Sequence, residues 1–518
     1  MLQNEARQKA EEFLKVADQF QLGTLPTEQR HPLTYDLADL ARNDIPAALH
    51  IQKEIDLGVL AAVAARANAL QRLEAAIGET LRAGNRVFFY GCGATGRLSM
   101  AIEYIWRHLH RGRPEADCVL GFMSGGDLAL VHSIENFEDH PAYGARQVRE
   151  IGFGPQDLLV CCTEGGETPS VIGATEEATR ISARKPFFLY CNPDEVLHAH
   201  VERSRLVLDN PAIEKICLFV GPMALSGSTR LQASTALMLG AGFALLRAAH
   251  TGITVPDMAE LADFVRKTDF AFLAPFTAEE SGIYAAGDFI LYETNNYGIT
   301  ILTDTTERAP TFSLLGFENQ NNPARTPSLS YFCLPHAADA ETAWREILLR
   351  DPVTIEWENL KAVAGRDRLM GFDFSAQARA QREALIAPHK LHRFVIDREG
   401  DDIVFTLNHL SHRLSARGLH PFFEHLFLKM ALNMHSTLVM GRYGRYESNI
   451  MTWVKPSNKK LIDRAIRYVE YLLHHQNVTV FSYADICHQL FEEMQHMAPE
   501  QSVVLLTVES LKKKINPA

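Results

Sequence analysis

The sequence predicts an α/β protein built from two doubly wound parallel sheets in tandem, a pseudo-dimer, with helical segments at both ends. Three observations predict it. Near-continuous apolar runs with β-rich composition alternate with helical patterns, as strands buried on both faces of a parallel sheet require. Several of these runs end in small residues and pass straight into a helix. The arrangement then recurs in diffuse form, once over residues 83–250 and again over about 280–450. At roughly 150 residues per domain, 518 residues accommodate two to four such units.

In order along the chain, residues 1–82 read as helices, with apolar residues at helical spacing and Ala-rich faces from Ile51 to Leu81. The first sheet domain, 83–250, opens on NRVFFYGCGATGRLSMAIEYIW: a strand, a glycine turn and a helix starting near Arg97. VLGFMSGGDLALVHSIENFED and DLLVCCTEGGETPSVIGATEEATR repeat that unit, FFLYCNP supplies a fourth strand, and NPAIEKICLFVGPMALSGSTRLQASTALMLGAGFALL closes the domain. The second domain, 251–456, begins with a helical lead-in over about 252–275. GIYAAGDFILYETNNYGITILTDTTERAPTF is then strand, turn and helix without a glycine-rich loop, FCLPHA and HRFVIDRE are further strands, and FFEHLFLKMALNMHSTLVMGRYG is a long helix. Residues 457–518 are helical to the solvated SLKKKI end.

Composition narrows the function classes. Charged residues make up 22% and hydrophobic residues 47%, which is globular usage. Lys and Arg number 51 against 63 Asp and Glu, a net charge of −12 without a basic block, so nucleic acid and polybasic membrane attachment are not expected. The N-terminus is charged and helical in pattern, unlike a signal peptide, and the longest apolar run, Ala233 to Leu246, is too short to span a bilayer. A soluble, cytoplasmic protein is expected. The 8 cysteines include adjacent Cys161 and Cys162 and form no CxxC pair, so they read as reduced core thiols.

Three loops carry chemistry. In GCGATGR, Gly91, Gly93 and Gly96 let backbone approach a ligand, and Ala94, Thr95 and Arg97 begin the helix whose free N–H groups suit an anion. Its GxGxxG spacing also occurs in dinucleotide sites, but the next strand ends in small residues where such a site needs an acid, and a plain tight turn is the other alternative. In TEGGETP, Thr168 and Pro169 open a helix, Thr163 and Gly165 lie in the turn, and Glu164 and Glu167 argue against a bare phosphate there. In LSGSTR, Ser226, Ser228, Thr229 and Arg230 could hold a phosphate or sugar hydroxyls, or serve as an N-cap cluster. On one edge of one parallel sheet, the three loops together predict a ligand site.

These motifs resemble the sugar isomerase (SIS) fold, and within it the N-acetylmuramic acid 6-phosphate etherases and glucokinase regulatory proteins. GCGATGR resembles the family's GxGTSGR loop, SGGDLALVHSIENFED its AGGxxAxxxxxExxED segment, and GPMALSGSTR its GPExLxGSxRxK segment. HPLTYDLADLARNDIPAALHIQKEID resembles its N-terminal helical segment, and NMHSTLVMGRYGRYESNIMTWVKPSNKKLIDRA its long C-terminal motif. The resemblance implies that Glu138, in IENFED, is a general base and that Glu307, in TDTTERAPTF, is a general acid, with Glu135 a nearby sugar-binding carboxylate. Eliminating an alkoxide needs such a pair, one group for the proton and one for the departing oxygen. In the first half the matching register puts Ile105 at the acid's place, with Glu103 two residues off. One half therefore supplies the glycine loop and the other the acid, in a single composite site.

The chain departs from the family at Gly165 and Glu167, where it lacks a serine and an arginine, at Gln232, which replaces a lysine, and at Ala94, which replaces a threonine. Arg445 stands in for another lysine and could hold a phosphate or sugar oxygen. His132 and His435 flank matching segments and are candidates for the site wall. His420, His425, His474 and His475 lack metal-type spacing. No metal and no organic cofactor is expected. Two function classes stay open: an enzyme, either an etherase-like lyase or a sugar-phosphate isomerase, and a regulator that senses a sugar phosphate and controls a sugar kinase. The expected partners are a sugar or sugar-phosphate ligand and, for the regulator, that kinase. The chain would be a monomer or a homodimer.

Overall fold

A computed structural model describes residues 2–20, 22–134, 137–249, 257–456, 458–498 and 501–515. The expected boundary between the halves at 250/251 and the first residues of the lead-in helix lie outside them.

The first sheet is fully parallel, in the order β2-β1-β3-β4-β5, with β1 Val87–Gly91, β2 Val119–Met123, β3 Leu158–Cys162, β4 Phe187–Tyr190 and β5 Glu214–Cys217. Val87 pairs with Val119 on one side and Leu158 on the other, which makes β1 a central strand. Both faces of the sheet are covered, which explains the uninterrupted apolar strands. Val87 and Phe89 with Leu158 and Val160 belong to one core, while Phe88 and Tyr90 with Leu159 and Cys161 belong to another on the opposite face. The first of these cores continues without a break into the second half.

The second sheet runs β10-β9-β8-β6-β7, with β6 Phe289–Glu293, β7 Ser330–Cys333, β8 Leu391–Glu399, β9 Asp402–Leu407 and β10 Leu410–Ser415. Strands β6, β7 and β8 are parallel, as predicted for this half. Strands β9 and β10 were not anticipated and add an antiparallel meander. Strand β9 is largely buried, whereas half-buried and exposed residues alternate along β10, as suits a sheet margin with one wet face.

The halves join through helices. The closing helix of the first half, Gln232–Ala248, lies against the long helix Pro421–Arg442, and the glycine-loop helix Ala94–Leu109 lies against the acid-bearing helix Gly298–Phe312. The chain ends also meet, which the sequence did not reveal: the helices Leu2–Leu14 and Tyr483–His496 pack together, with the rings of Phe13 and Phe491 6.3 Å apart. No described helix is long and apolar enough to cross a membrane.

Candidate functional site

The C-terminal ends of β1, β2 and β3 open on a two-lobed cleft that has Glu138 at its divide. Gly91 and Gly93 make the tight exit from β1. A Cβ on Gly91 would stand 2.4 Å from the Thr95 carbonyl carbon, and Gly93 has φ +56° where it caps the helix starting at Ala94. Thr95 Oγ1 fixes the turn by donating to the Cys92 carbonyl at 2.9 Å.

The main lobe encloses about 450 Å³. First-half residues Cys92, Gly93, Arg97, Ser124, His132 and Glu138 line it together with Thr306, Pro310, Ser313, Leu314 and Lys455 of the second half and Asn458 beyond it. Thr306 Oγ1 and Arg97 Nε both donate to the Leu130 carbonyl, at 2.9 and 3.2 Å, and so stitch the halves together at the cavity wall. The second lobe, about 460 Å³, shares Glu138 and Asn458 with the first and adds Asp139, Glu167, Thr168, Arg203, Lys459 and Lys460.

Glu138 sits on a short turn, Phe137–Asp139, anchored by Phe137. That ring lies 5.0 Å from Tyr143 and 5.7 Å from Trp357 of the second half. Burial, reinforced by the nearby charges of Glu167 and Asp139 and opposed by Lys460, raises the Glu138 carboxyl above the usual carboxylate range. Asn458 Nδ2 donates to it at 3.1 Å and the Cys92 thiol approaches at 3.6 Å. Glu135 lies outside the described residues.

Glu307 lines neither lobe. It is buried behind Arg97, with its Oε1 4.0 Å from Arg97 Nη1 and without a hydrogen-bond partner among the described residues. Burial raises its pKa against the pull of Arg97, Arg230 and Lys429. Lys429 is itself buried, and burial lowers its pKa to about 8. Its Nζ donates to the Arg230 carbonyl at 3.0 Å and to Asn433 at 2.9 Å. Gln232 donates to Asp56 at 2.9 Å.

The other predicted loops divide. Glu167 and Thr168 face the second lobe. Burial opposes the Glu167 charge, but Lys460 and Arg203 outweigh it and bring the carboxyl down to about 2. Thr163 and Thr168 share a hydrogen bond of 3.1 Å, and the Gly165 carbonyl accepts from Asn192 at 3.3 Å. Glu164 is held to about 7 by burial and by the charge of Glu28, and it accepts from Thr229.

The LSGSTR loop and Arg445, expected to contact a ligand, line neither lobe. Ser226 donates to the Glu28 carbonyl at 2.9 Å, and Ser228 is buried away from both lobes. Arg230 turns to the second half, donating to Asp304 at 3.0 Å, Ser436 at 2.9 Å and Thr437 at 2.7 Å. Its charge is used there, because a buried guanidinium requires a partner. Arg445 stacks over Trp453 at 4.0 Å and Tyr443 at 5.1 Å, outside the cleft. His435, 2.7 Å from Glu280, is a core group, whereas His132 does line the main lobe. Among the described residues, no group of three or more His, Cys, Asp or Glu is placed to hold a metal.

Sequence reasoning missed Cys92, Ser124, Lys455, Asn458 and Lys460. Cys92 stood inside the quoted glycine loop, and PSNKK within a matching motif signalled the last two. Ser124 stood at the head of the quoted SGGDLALVHSIENFED segment.

Each half is thus an α/β sheet domain, and the first carries a cleft where its strands meet helix starts. The family model of the glucokinase regulatory protein N-terminal SIS domain matches residues 69–178. The N-acetylmuramic acid 6-phosphate etherase of Thermosynechococcus vestitus is 33% identical over 240 residues, which cover 45% of this chain and 68% of that protein. The etherase of Klebsiella aerogenes is 32% identical over 218 residues, 42% of this chain and 67% of that one. Tagatose-6-phosphate ketose/aldose isomerase from Escherichia coli superposes over 79% of this chain and 95% of its own at a TM-score of 0.41 and 12% identity. The chain belongs to the SIS-domain family that these etherases represent.

Proposed function

We propose that this protein binds a phosphorylated hexose or amino-sugar derivative in the two-lobed cleft and acts on it as a carbon–oxygen lyase of the etherase kind. The observation that carries the reading is Glu138, a half-buried carboxyl with a raised pKa on the wall of a cavity large enough for a substituted sugar. A carboxylate so placed removes a proton beside a carbonyl-like carbon more readily than a solvated one, because its basicity is nearer neutral. Glu307 is the proposed acid. Burial favours its protonated form, and its Oε1 and Arg97 Nη1 are 4.0 Å apart, so an oxygen admitted between them would lie within hydrogen-bond reach of both. Arg97 would then stabilise the charge building on the departing oxygen. The proposed domain division is the one given above, with the first SIS domain providing the loop and base and the second providing the acid.

The test is incubation with N-acetylmuramic acid 6-phosphate and measurement of released lactate, for the wild type, Glu138→Gln and Glu307→Gln. Release that each substitution suppresses supports the lyase. A second reading, a sugar-phosphate-sensing regulator of a sugar kinase, is favoured by the regulatory-protein family match and by the withdrawal of Glu307 behind Arg97. It gains if no lactate appears while fructose 6-phosphate raises the melting temperature.

A further inference from the structure

The base of this site is held from a segment that lies outside both sheets. Asn458 is the N-cap of the helix Lys459–His475, and its Oδ1 accepts from the Leu461 backbone N–H at 2.9 Å. That bond settles the orientation of the amide. The oxygen is required by the orphan N–H of the helix start, so the NH₂ group faces the opposite way and meets Glu138 Oε1 at 3.1 Å.

We infer that Asn458 is a positioning residue for Glu138, fixing both the aim of the carboxylate at the divide between the lobes and its affinity for a proton. The inference rests on the reading of Glu138 as the base. The groups facing Glu138 are Cys92 from the glycine loop, Asp139 on its own turn, Glu167 from the loop after β3 and Lys460 beside the cap. Lys460 is engaged by Glu167 at 3.0 Å, and the Cys92 thiol is a weak donor at 3.6 Å. The Asn458 amide is therefore the strong hydrogen-bond donor to this carboxylate among the described residues. A donor to the charged form favours ionisation and offsets part of what burial costs. Arg97, His132 and Lys455 face the same lobe but are not hydrogen-bonded to Glu138 among the described residues.

Two substitutions separate this role from the cap. Asp and Ser both cap helices well. Asn458→Asp keeps the cap but turns a carboxylate toward Glu138, and Asn458→Ser keeps the cap with a side chain too short to reach. Cys92 offers a readout that needs no turnover. Its sulfur lies against Glu138 Oε2, so its labelling by methyl methanethiosulfonate across pH, followed by peptide mass spectrometry on the full chain, should show an inflection where Glu138 ionises. The inflection should disappear in Glu138→Gln. It should move up by about one pH unit or more in Asn458→Asp, and by less in Asn458→Ser, with melting temperatures close to wild type. If Asn458→Asp does not fold, Asn458→Ser decides the matter. An inflection that stays in place in both variants, or one that persists in Glu138→Gln, overturns the inference. Lactate release reports separately on the base: wild-type turnover in Glu138→Gln sinks that reading, while the labelling curves still decide the role of Asn458.

Discussion

Each half passes from a central strand into a helix, and the two exits are used in opposite ways. After β1 the chain leaves through Gly91, Cys92 and Gly93, and the small side chains leave room for the main lobe. After β6 it leaves through Thr294, Asn295, Asn296 and Tyr297, and fills its own space. Tyr297 is 2% exposed and its hydroxyl donates to Glu424, while Asn296 Nδ2 donates to Asp397 at 2.6 Å. The helices that follow differ in the same sense. Glu103 and Glu307 occupy the same position counted from the first residue of their helices. Glu103 is locked by Arg107 at 2.8 Å and Arg350 at 2.9 Å, whereas Glu307 keeps an oxygen without a hydrogen-bond partner among the described residues. The strand-to-helix order is thus shared, while the exit backbone differs, with φ +56° at Gly93 against −114° at Tyr297, and side-chain volume and charge pairing set the two edges further apart.

The largest expected effect falls on the open edge. Glu138→Gln should lower lactate release by about 10²- to 10⁴-fold with the fold intact by circular dichroism; a smaller loss would place the chemistry elsewhere. Next comes the seam between the halves. Arg230→Ala removes the buried guanidinium that bridges Asp304, Ser436 and Thr437, and because Asp304 keeps Arg308 at 2.9 Å the cost in chemical denaturation should be about 1.5–3 kcal/mol. A loss below 1 kcal/mol would mean that the halves do not depend on this pair.

The filled edge should respond through stability alone. Tyr297→Phe removes the donor to buried Glu424 and should cost about 1–3 kcal/mol, leaving sugar-phosphate thermal shifts unchanged. Altered ligand response would erase the contrast between the edges.

A pH test sharpens the picture of the loop after β3. Folding raises Glu164 from 4.5 to about 7, so the folded state holds that proton more tightly. Its contribution is full below about pH 4.5 and is lost as the pH rises through about 7. Glu164→Gln should therefore melt higher than wild type at pH 8 and alike at pH 4, and equal curves at both would refute the shift. The smallest effect is expected at Arg445→Ala, about 0.5–1 kcal/mol from lost stacking on Trp453, with ligand binding untouched.

Much of this fold was legible because a strand buried on both faces has to be apolar throughout. VFFYG and LLVCC declare themselves for that reason. The meander of β9 and β10 escaped notice because an edge with one wet face, as in LSHRLS, carries a weaker signal. In the site, the glycine exit and Glu138 could be read from local motifs. Arg230 could not, since a guanidinium after a serine-rich turn looks the same whether it meets a ligand or Asp304. Asn458 was readable as a helix cap, but its second partner lies 320 residues away.

What the chain order determined by itself was the alternation of strands and helices, the sharp exit from β1 and the types of residue available to the cleft. Those follow from local rules: periodicity, backbone freedom at glycine and the needs of helix ends. What the tertiary structure decided was allocation. Each buried charge takes whichever partner folding brings within reach, so Glu103 was silenced by Arg350, Arg230 was drawn to the seam, and Glu138 was left facing the cavity with Asn458 behind it.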